Sequence, residues 1–402
     1  MKPTDSALPS VIVAGAGIGG IATALALAQL GLRVTVLEQA DELGEIGAGL
    51  QLGPNAFAAL DALGAGDRVR AHAVFTERLV MMDAVDCGVV ASFDVGTDFR
   101  ARFRNPYAVI HRADIHTAIL EQVRGNPDIE LVTSCRIVAL DQDERGVTAT
   151  DSSGRRFQAD YLVGCDGVKS VARDAVIGDG VRVSGHVVYR AVVPVAAMPE
   201  ELRMNAPVVW AGPNCHLVHY PLRGGEQYNL VVTFHSREQE TWGVTDGSKD
   251  EVLSYFTGIA ELPRQLLHLP SSWRRWSTAD RDPVDNWTRG RITLLGDAAH
   301  PMMQYLAQGA CMALEDAVTL GAAVRRCDYD MEAAFALYQR SRIARTARVV
   351  LSVREMGRLY HAAGVERLVR NDLWKGRSAS GFHEALAWLY DWNPATCLAG
   401  DA

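Results

Sequence analysis

The spacing of apolar residues changes several times along the chain, and each change marks a predicted element. Val11–Ala14 is a short continuous apolar run, the pattern of a buried strand. Ile18–Leu30 repeats Ala and Leu at helical spacing, with Gly31 placed as its cap. Arg33–Glu38 reads as a second strand, followed by a polar loop and a helix around Asn55–Leu63. Glu77–Asp94 alternates apolar and polar residues, as antiparallel strands do. Arg112–Gln122 is predicted helical. Ile129–Ala139 and Val147–Ala149 are predicted strands, with Asp151–Gly154 a hairpin turn between the second and the strand leading to Tyr161–Val163. Between His186 and His235 the chain is strand-like over Val187–Val195, Pro207–Trp210, Cys215–Tyr220 and Tyr228–His235. Helical character returns over Asp250–Ile259, Ile292–Leu295 is an apolar strand, and Gly309 to about Trp392 is mainly helical. No repeat or low-complexity tract interrupts this order.

Composition narrows the function classes. The 402 residues are 48% hydrophobic and 22% charged, enough to bury a proper core, as two domains or as one domain with a sizeable insertion. A net charge of −8 leaves no electrostatic footprint for nucleic acid and nothing to draw in an anionic substrate from afar. The seven cysteines form no C-x-x-C pair and no Cys/His spacing suits a metal, so reduced thiols in a cytoplasmic protein are expected. Lys2 ahead of the apolar stretch Val11–Ala28 imitates a signal peptide, but the glycines within that stretch argue against one. No run of about 18 apolar residues occurs elsewhere, so no membrane span is expected.

Three glycine-bearing motifs carry candidate chemistry. Gly15-x-Gly17-x-x-Gly20, with Gly19 beside it, follows a strand and opens a helix. That is the context of a dinucleotide loop, where glycines permit the turn, the approach of a pyrophosphate and close helix packing. Glu38 closes the second strand, where a ribose hydroxyl acceptor belongs. Asp166-Gly167 ends a strand ahead of Ser170 and Arg173, and taken alone it reads first as an ordinary strand-to-helix turn. Asp297, after Ile292–Leu295 and before Ala298-Ala-His-Pro301, is placed to accept from a polyol hydroxyl.

In this order and spacing the three motifs resemble those of the single-component FAD-dependent aromatic hydroxylases, the para-hydroxybenzoate hydroxylase type. The segments Glu45–Asn55 and Ile110–His116 match as well, so the resemblance covers nearly the whole chain. It implies an α/β fold: a Rossmann-like FAD-binding domain of the GR2 type, an inserted β-rich substrate domain and a helical C-terminal tail. The implied boundaries are 1–76, 107–182 and 285–330 for the FAD-binding domain, 77–106 and 183–284 for the substrate domain, and 331–402 for the helical region. FAD contacts are expected from Gly15, Gly17, Gly19, Gly20, Glu38, Gln39, Gly49, Arg112, Asp166, Gly167, Asp297 and Ala310. The implied reaction reduces bound FAD with a transiently visiting NADH. Oxygen then adds to give a flavin hydroperoxide that hydroxylates an electron-rich ring. A homodimer is expected.

Within that family, Gly212–Glu226, His300–Ala310 and Val369–Arg377 resemble the 3-hydroxybenzoate 6-hydroxylases, which form gentisate. The resemblance makes His216, Tyr220 and Gln304 the residues lining the substrate pocket. Salicylate, 6-hydroxynicotinate and a flavin oxidoreductase that does not hydroxylate remain rival readings. Strand parity puts His216 and Tyr220 on one face and His219 on the other, which disfavours a His216/His219 metal pair. Four strand residues span roughly 13 Å, enough for His216 and Tyr220 to bracket a small aromatic acid. Arg190 and Arg223 are candidates for the substrate carboxylate, and His300 is assigned to support of the flavin loop.

Overall fold

The computed structural model describes residues 8–44 and 48–398. Lys2, the first three residues of the Glu45–Asn55 segment and the last four of the chain lie outside these. The central sheet has six strands. Ser10–Ala14 lies between Arg33–Leu37 and Tyr161–Gly164, parallel to both. Ile129–Val132 and Ile292–Leu294 extend the two sides in parallel, and Thr288–Arg289 adds a short antiparallel edge. The middle strand is buried along nearly its whole length, which explains its unbroken apolar run. The helix Ile18–Ala28 packs against both Gly309–Arg326 and Arg112–Arg124, so an early and a late segment share one core.

A second sheet has eight strands, in the order Gly243–Gly247, Trp273–Asp280, Arg182–Pro194, Gln227–His235, Cys215–Leu222, Val208–Gly212, Arg78–Asp83 and Val89–Asp94. One face packs Tyr189, Leu217, Leu230 and Phe234 against the short helices Lys249–Tyr255 and Glu261–His268. The other face carries Val188, Val218, Tyr220 and Val231. The 30-residue helix Met331–Tyr360 and the helix Ala379–Tyr390 join an aromatic cluster with Phe99, Phe103 and Tyr107. The fold is thus the expected α/β type: a Rossmann-like sheet, a β-rich insert and a helical C-terminal region.

Local expectations need two corrections. Ile129–Ala139 is two strands in different sheets, Ile129–Val132 and Ile137–Asp143, because the chain turns at Ser134 with φ +50°. The hairpin turn at Asp151–Gly154 forms as expected: it joins Gly146–Asp151 to Arg156–Ala159, the strand of a separate three-stranded sheet that leads to Tyr161–Gly164. The chain returns to the central sheet at Asp160, whose carboxylate accepts from the Ser10 amide and hydroxyl at 2.7 Å each. The helix predicted over Asp250–Ile259 ends at Tyr255, and a second one follows at Glu261–His268. The strands Gly243–Gly247 and Trp273–Asp280 carry too many polar residues on both faces for a clear alternation.

Candidate active site

The glycine loop is shaped by what each position forbids. Gly15 has φ +98°, and a Cβ there would lie 2.6 Å from the Cys165 carbonyl oxygen. A Cβ on Gly20 would lie 1.9 Å from the Gly15 carbonyl oxygen, so helix and strand meet there without a side chain. At Gly17 a Cβ would meet nothing within 4 Å: this glycine faces open space. The helix Ile18–Ala28 has no side-chain cap, which leaves its first N–H groups for an anion. The loop is propped from two sides. His116 Nε2 is 2.8 Å from the Ala16 carbonyl oxygen, and Glu38 accepts from the Ala16 amide at 2.7 Å and the Ala40 amide at 2.9 Å. Glu38 immediately follows its strand, and Gln39 beyond it is exposed.

The other two motifs are tied together by one side chain. Asp166 accepts from the Ser170 hydroxyl and, at 3.1 Å, from the Ala172 amide, so its carboxylate fixes the start of the next helix. Gly167 adopts φ +74° and lines the cavity. Buried Arg173 pairs with Asp179 and donates from Nη1 to the carbonyl oxygens of Ala298 and Ala299, at 2.9 and 2.6 Å. It thereby bolts the Asp166-Gly167 turn to the Gly296-Asp297 turn. Asp297 lies deep in the molecule yet opens onto the cavity, and no described residue hydrogen-bonds its carboxylate. Burial raises its pKa, with His300 and Arg112 opposing the shift. His300, by contrast, is turned into the core: its Nε2 is 2.6 Å from Asp316, which also takes the Gly296 amide at 3.1 Å.

A cavity of about 890 Å³ runs from Gly17 and Gly19 past Asp297 and Ala310 to His216 and Tyr220. Gly49 and Arg112 also line it. His216, Val218 and Tyr220 face it from one strand, while His219 is buried on the opposite side against Tyr228, as parity requires. Thr233 stands across the sheet from His216 and accepts from Gln304 Nε2 at 3.1 Å. Tyr220 packs so tightly on Gly49 that a Cβ there would lie 2.4 Å from its ring. Burial pushes the Tyr220 hydroxyl well above the usual tyrosine range, with Arg190 opposing, and pushes His216 down to about 3. Both are neutral at pH 7.

Arg190 lines the same cavity with no acidic partner among the described residues, and its guanidinium lies 5.7 Å from the Trp276 ring. Arg223 does not reach the cavity. It pairs with Asp114 at 3.0 Å on the surface, which removes it as a carboxylate ligand.

Several site residues escaped sequence reasoning. Tyr107, Tyr305, Tyr360 and Tyr390 line the cavity from four separate segments. His361, at the end of the long helix, bonds His216 from behind. Under the Gly296-Asp297 turn, buried Arg342 bridges Glu315 and Asp316 at 2.6 Å each, and Asn55 donates to Glu315 at 2.7 Å. Only the adjacent acids Glu315-Asp316 inside an apolar helix hinted at this network. Among the described residues no group of three or more metal-capable side chains occurs, and no helix is long and apolar enough to cross a membrane.

These features fit FAD. An uncapped helix faces open space at Gly17, an unpartnered carboxylate waits at Asp297, and one cavity connects them. Residues 9–350 match the family described as FAD binding domain. The chain is 60% identical over 401 residues to a 3-hydroxybenzoate 6-hydroxylase of Polaromonas naphthalenivorans (strain CJ2), covering all of both chains. The chain belongs to the FAD-dependent aromatic hydroxylases. A 3-hydroxybenzoate 6-hydroxylase of Klebsiella oxytoca is 62% identical over 387 residues, 96% of this chain and 98% of that one. In fold, the hydroxylase matches a salicylate hydroxylase solved as its substrate complex, with a TM-score of 0.81, 24% identity and coverage of 98% of each chain. It is accordingly an FAD-dependent monooxygenase.

Proposed function

We propose that this monooxygenase hydroxylates 3-hydroxybenzoate at carbon 6, consuming NADH and O2 and releasing 2,5-dihydroxybenzoate (gentisate). The observation that carries the proposal is the 60% identity, over the full length of both chains, to a relative named for that reaction. Carbon 6 lies para to the phenol oxygen, the position that a phenolate activates most directly for electrophilic attack. When bound, FAD would supply the redox chemistry, with NADH as reductant and O2 as oxidant; the protein supplies orientation, charge and exclusion of water.

The side chains divide the remaining work. In this reading Gly17 and Gly19 face the pyrophosphate, while Gly15 and Gly20 give the loop its turn and close packing. Glu38 and Gln39 take the ribose end, and Gly49, Arg112, Asp166, Gly167, Asp297 and Ala310 follow the rest of FAD. The segments 1–76, 107–182 and 285–330 then form the flavin domain around the substrate segments 77–106 and 183–284, with 331–402 closing the cavity. Arg190, a cation without an acidic partner among the described residues, takes the substrate carboxylate. A phenol with pKa ~10 needs roughly 4 kcal/mol of help to ionise at neutral pH. Neutral Tyr220 donates to the phenolate oxygen, His216 accepts the proton, and Gln304, held by Thr233, orients the ring. With one glycine fingerprint in the chain, NADH visits the flavin and leaves.

The seven cysteines are all free thiols, which supports a reducing, cytoplasmic setting. Val365, Leu368, Val369 and Leu373 form an exposed apolar stripe on and beside the helix Gly364–Asp372, which supports a homodimer. To test the reaction, the purified flavoprotein is given NADH, then NADPH, with 3-hydroxybenzoate, salicylate and 6-hydroxynicotinate separately, and products are identified chromatographically. Gentisate from 3-hydroxybenzoate is expected. Turnover of either other acid without it overturns the proposal.

A further inference from the structure

His216 does not stand alone behind the cavity. Its Nδ1 lies 2.8 Å from Nε2 of His361, with the ring centroids 5.0 Å apart. His216 lines the cavity and is 2% exposed, whereas His361 is 9% exposed and lies outside the lining. His361 closes the helix Met331–Tyr360, and its carbonyl oxygen accepts from the amide of exposed Asn214 at 3.0 Å. Ala363, two residues on, is exposed as well. The pair therefore runs from the cavity wall toward the surface.

Its surroundings forbid a resting charge. The titratable groups facing the pair are Tyr305 from the turn Gln304–Leu306, Tyr360 from the long helix, and His186 from the sheet, with His235 behind it. The Tyr305 hydroxyl is bonded to His186 Nδ1. No carboxylate contacts either ring of the pair among the described residues, and burial holds His361 well below the usual histidine range. A lone buried imidazole with pKa about 3 cannot retain the proton of a phenol near ~10.

We propose that His361 is the outward half of a two-imidazole relay that carries the substrate's phenolic proton from His216 to water. The inference rests on the proposed hydroxylation of a phenol at this site. The phenol O–H bond breaks as an Nε2–H bond forms on His216. The His216 Nδ1–H bond breaks as an Nε2–H bond forms on His361, and the His361 Nδ1 proton passes to water at the exposed turn. Each ring gains one proton and loses one, so neither ends as an imidazolium. Product reprotonation runs the relay backward and restores both tautomers. His361 acts through His216 and is a positioning residue: it selects the tautomer that leaves Nε2 of His216 free to accept.

The test uses holoenzyme carrying 3-hydroxybenzoate, jumped from pH 6 to pH 8, with absorbance reporting the bound phenolate. His361→Gln keeps a hydrogen-bond acceptor for His216 but cannot relay. We expect phenolate to appear about 10-fold or more slowly in it, with substrate affinity and flavin spectrum within about twofold of wild type. In His361→Ala, added imidazole restores the rate in proportion to its concentration. In wild type, a proton inventory in mixed H2O and D2O is bowed, as the transfer of more than one proton requires. Wild-type rates in His361→Gln, or a linear inventory together with no imidazole rescue, overturn the relay and leave the hydroxylation intact. Failure of wild-type enzyme to hydroxylate 3-hydroxybenzoate overturns the function, and the relay with it.

Discussion

Nε2 of His300 lies 2.6 Å from Oδ2 of Asp316, and both side chains are buried. Asp316 also receives the Gly296 amide and Arg342, so one carboxylate holds the turn that presents Asp297. Burial alone would raise its pKa; His300 and Arg342 outweigh that and hold it down to about 2. A carboxyl with a depressed folded pKa stabilises the protein above its unfolded value near 4. That contribution is lost as pH falls from about 4 to 2. Wild-type thermal midpoints should therefore drop over this window, and those of Asp316→Asn should change less. Parallel acid melting curves for the two proteins would refute the assignment.

Tyr220 offers a neutral hydroxyl at the cavity wall, packed against Gly49. Tyr220→Phe removes one donor to a phenolate and little volume. Hydrogen bonds to charged groups contribute about 1.5–3 kcal/mol, so the hydroxylation rate should fall about 10- to 100-fold. Flavin retention, followed by fluorescence on dilution, should stay within about twofold. Release of FAD instead would place Tyr220 at the cofactor.

Arg190 is a cavity cation with no acidic partner among the described residues, and it lies on the same sheet as His216 and Tyr220. Arg190→Met keeps the apolar stem against Trp276 and removes the charge. KM for 3-hydroxybenzoate should rise about 10- to 100-fold, the value of a charge-assisted contact. Binding of a phenol without a carboxyl group should hardly change. Equal losses for both ligands would mean that Arg190 shapes the wall rather than reading the carboxylate.

The legibility of this chain follows from how local each constraint is. The glycine loop could be read because its turn, helix start and close packing all fall within six consecutive positions, Gly15 to Gly20. The parity of His216, Tyr220 and His219 could be read because a strand enforces period two. Asp166 is the mixed case: its carboxylate caps a helix, the bland reading, while the neighbouring Gly167 opens onto the cavity. Arg173 and Arg342 were beyond reach because their partners lie at Ala298–Ala299 and Glu315–Asp316, joined only by tertiary packing. His361 was hidden for the same reason, since nothing near it in sequence signals a partner 145 residues earlier. Arg223 failed because a surface acid, Asp114, claims it.

Gly17 and Gly20 belong to one motif but should fail differently. A Cβ on Gly20 would sit 1.9 Å from the Gly15 carbonyl oxygen, an overlap that the rigid backbone cannot relieve. Gly20→Ala should therefore destabilise the apoprotein itself, by about 1–3 kcal/mol or more as overpacking does, and lower its thermal midpoint. A Cβ on Gly17 meets nothing within 4 Å, and that glycine has φ −65°, which alanine adopts freely. Gly17→Ala should leave the apoprotein melting unchanged and weaken FAD binding, because its methyl group enters the space where phosphate oxygens approach the helix start. Apoprotein melting curves combined with FAD titrations separate the two. A Gly17→Ala protein that binds FAD as wild type does would remove Gly17 from the pyrophosphate site.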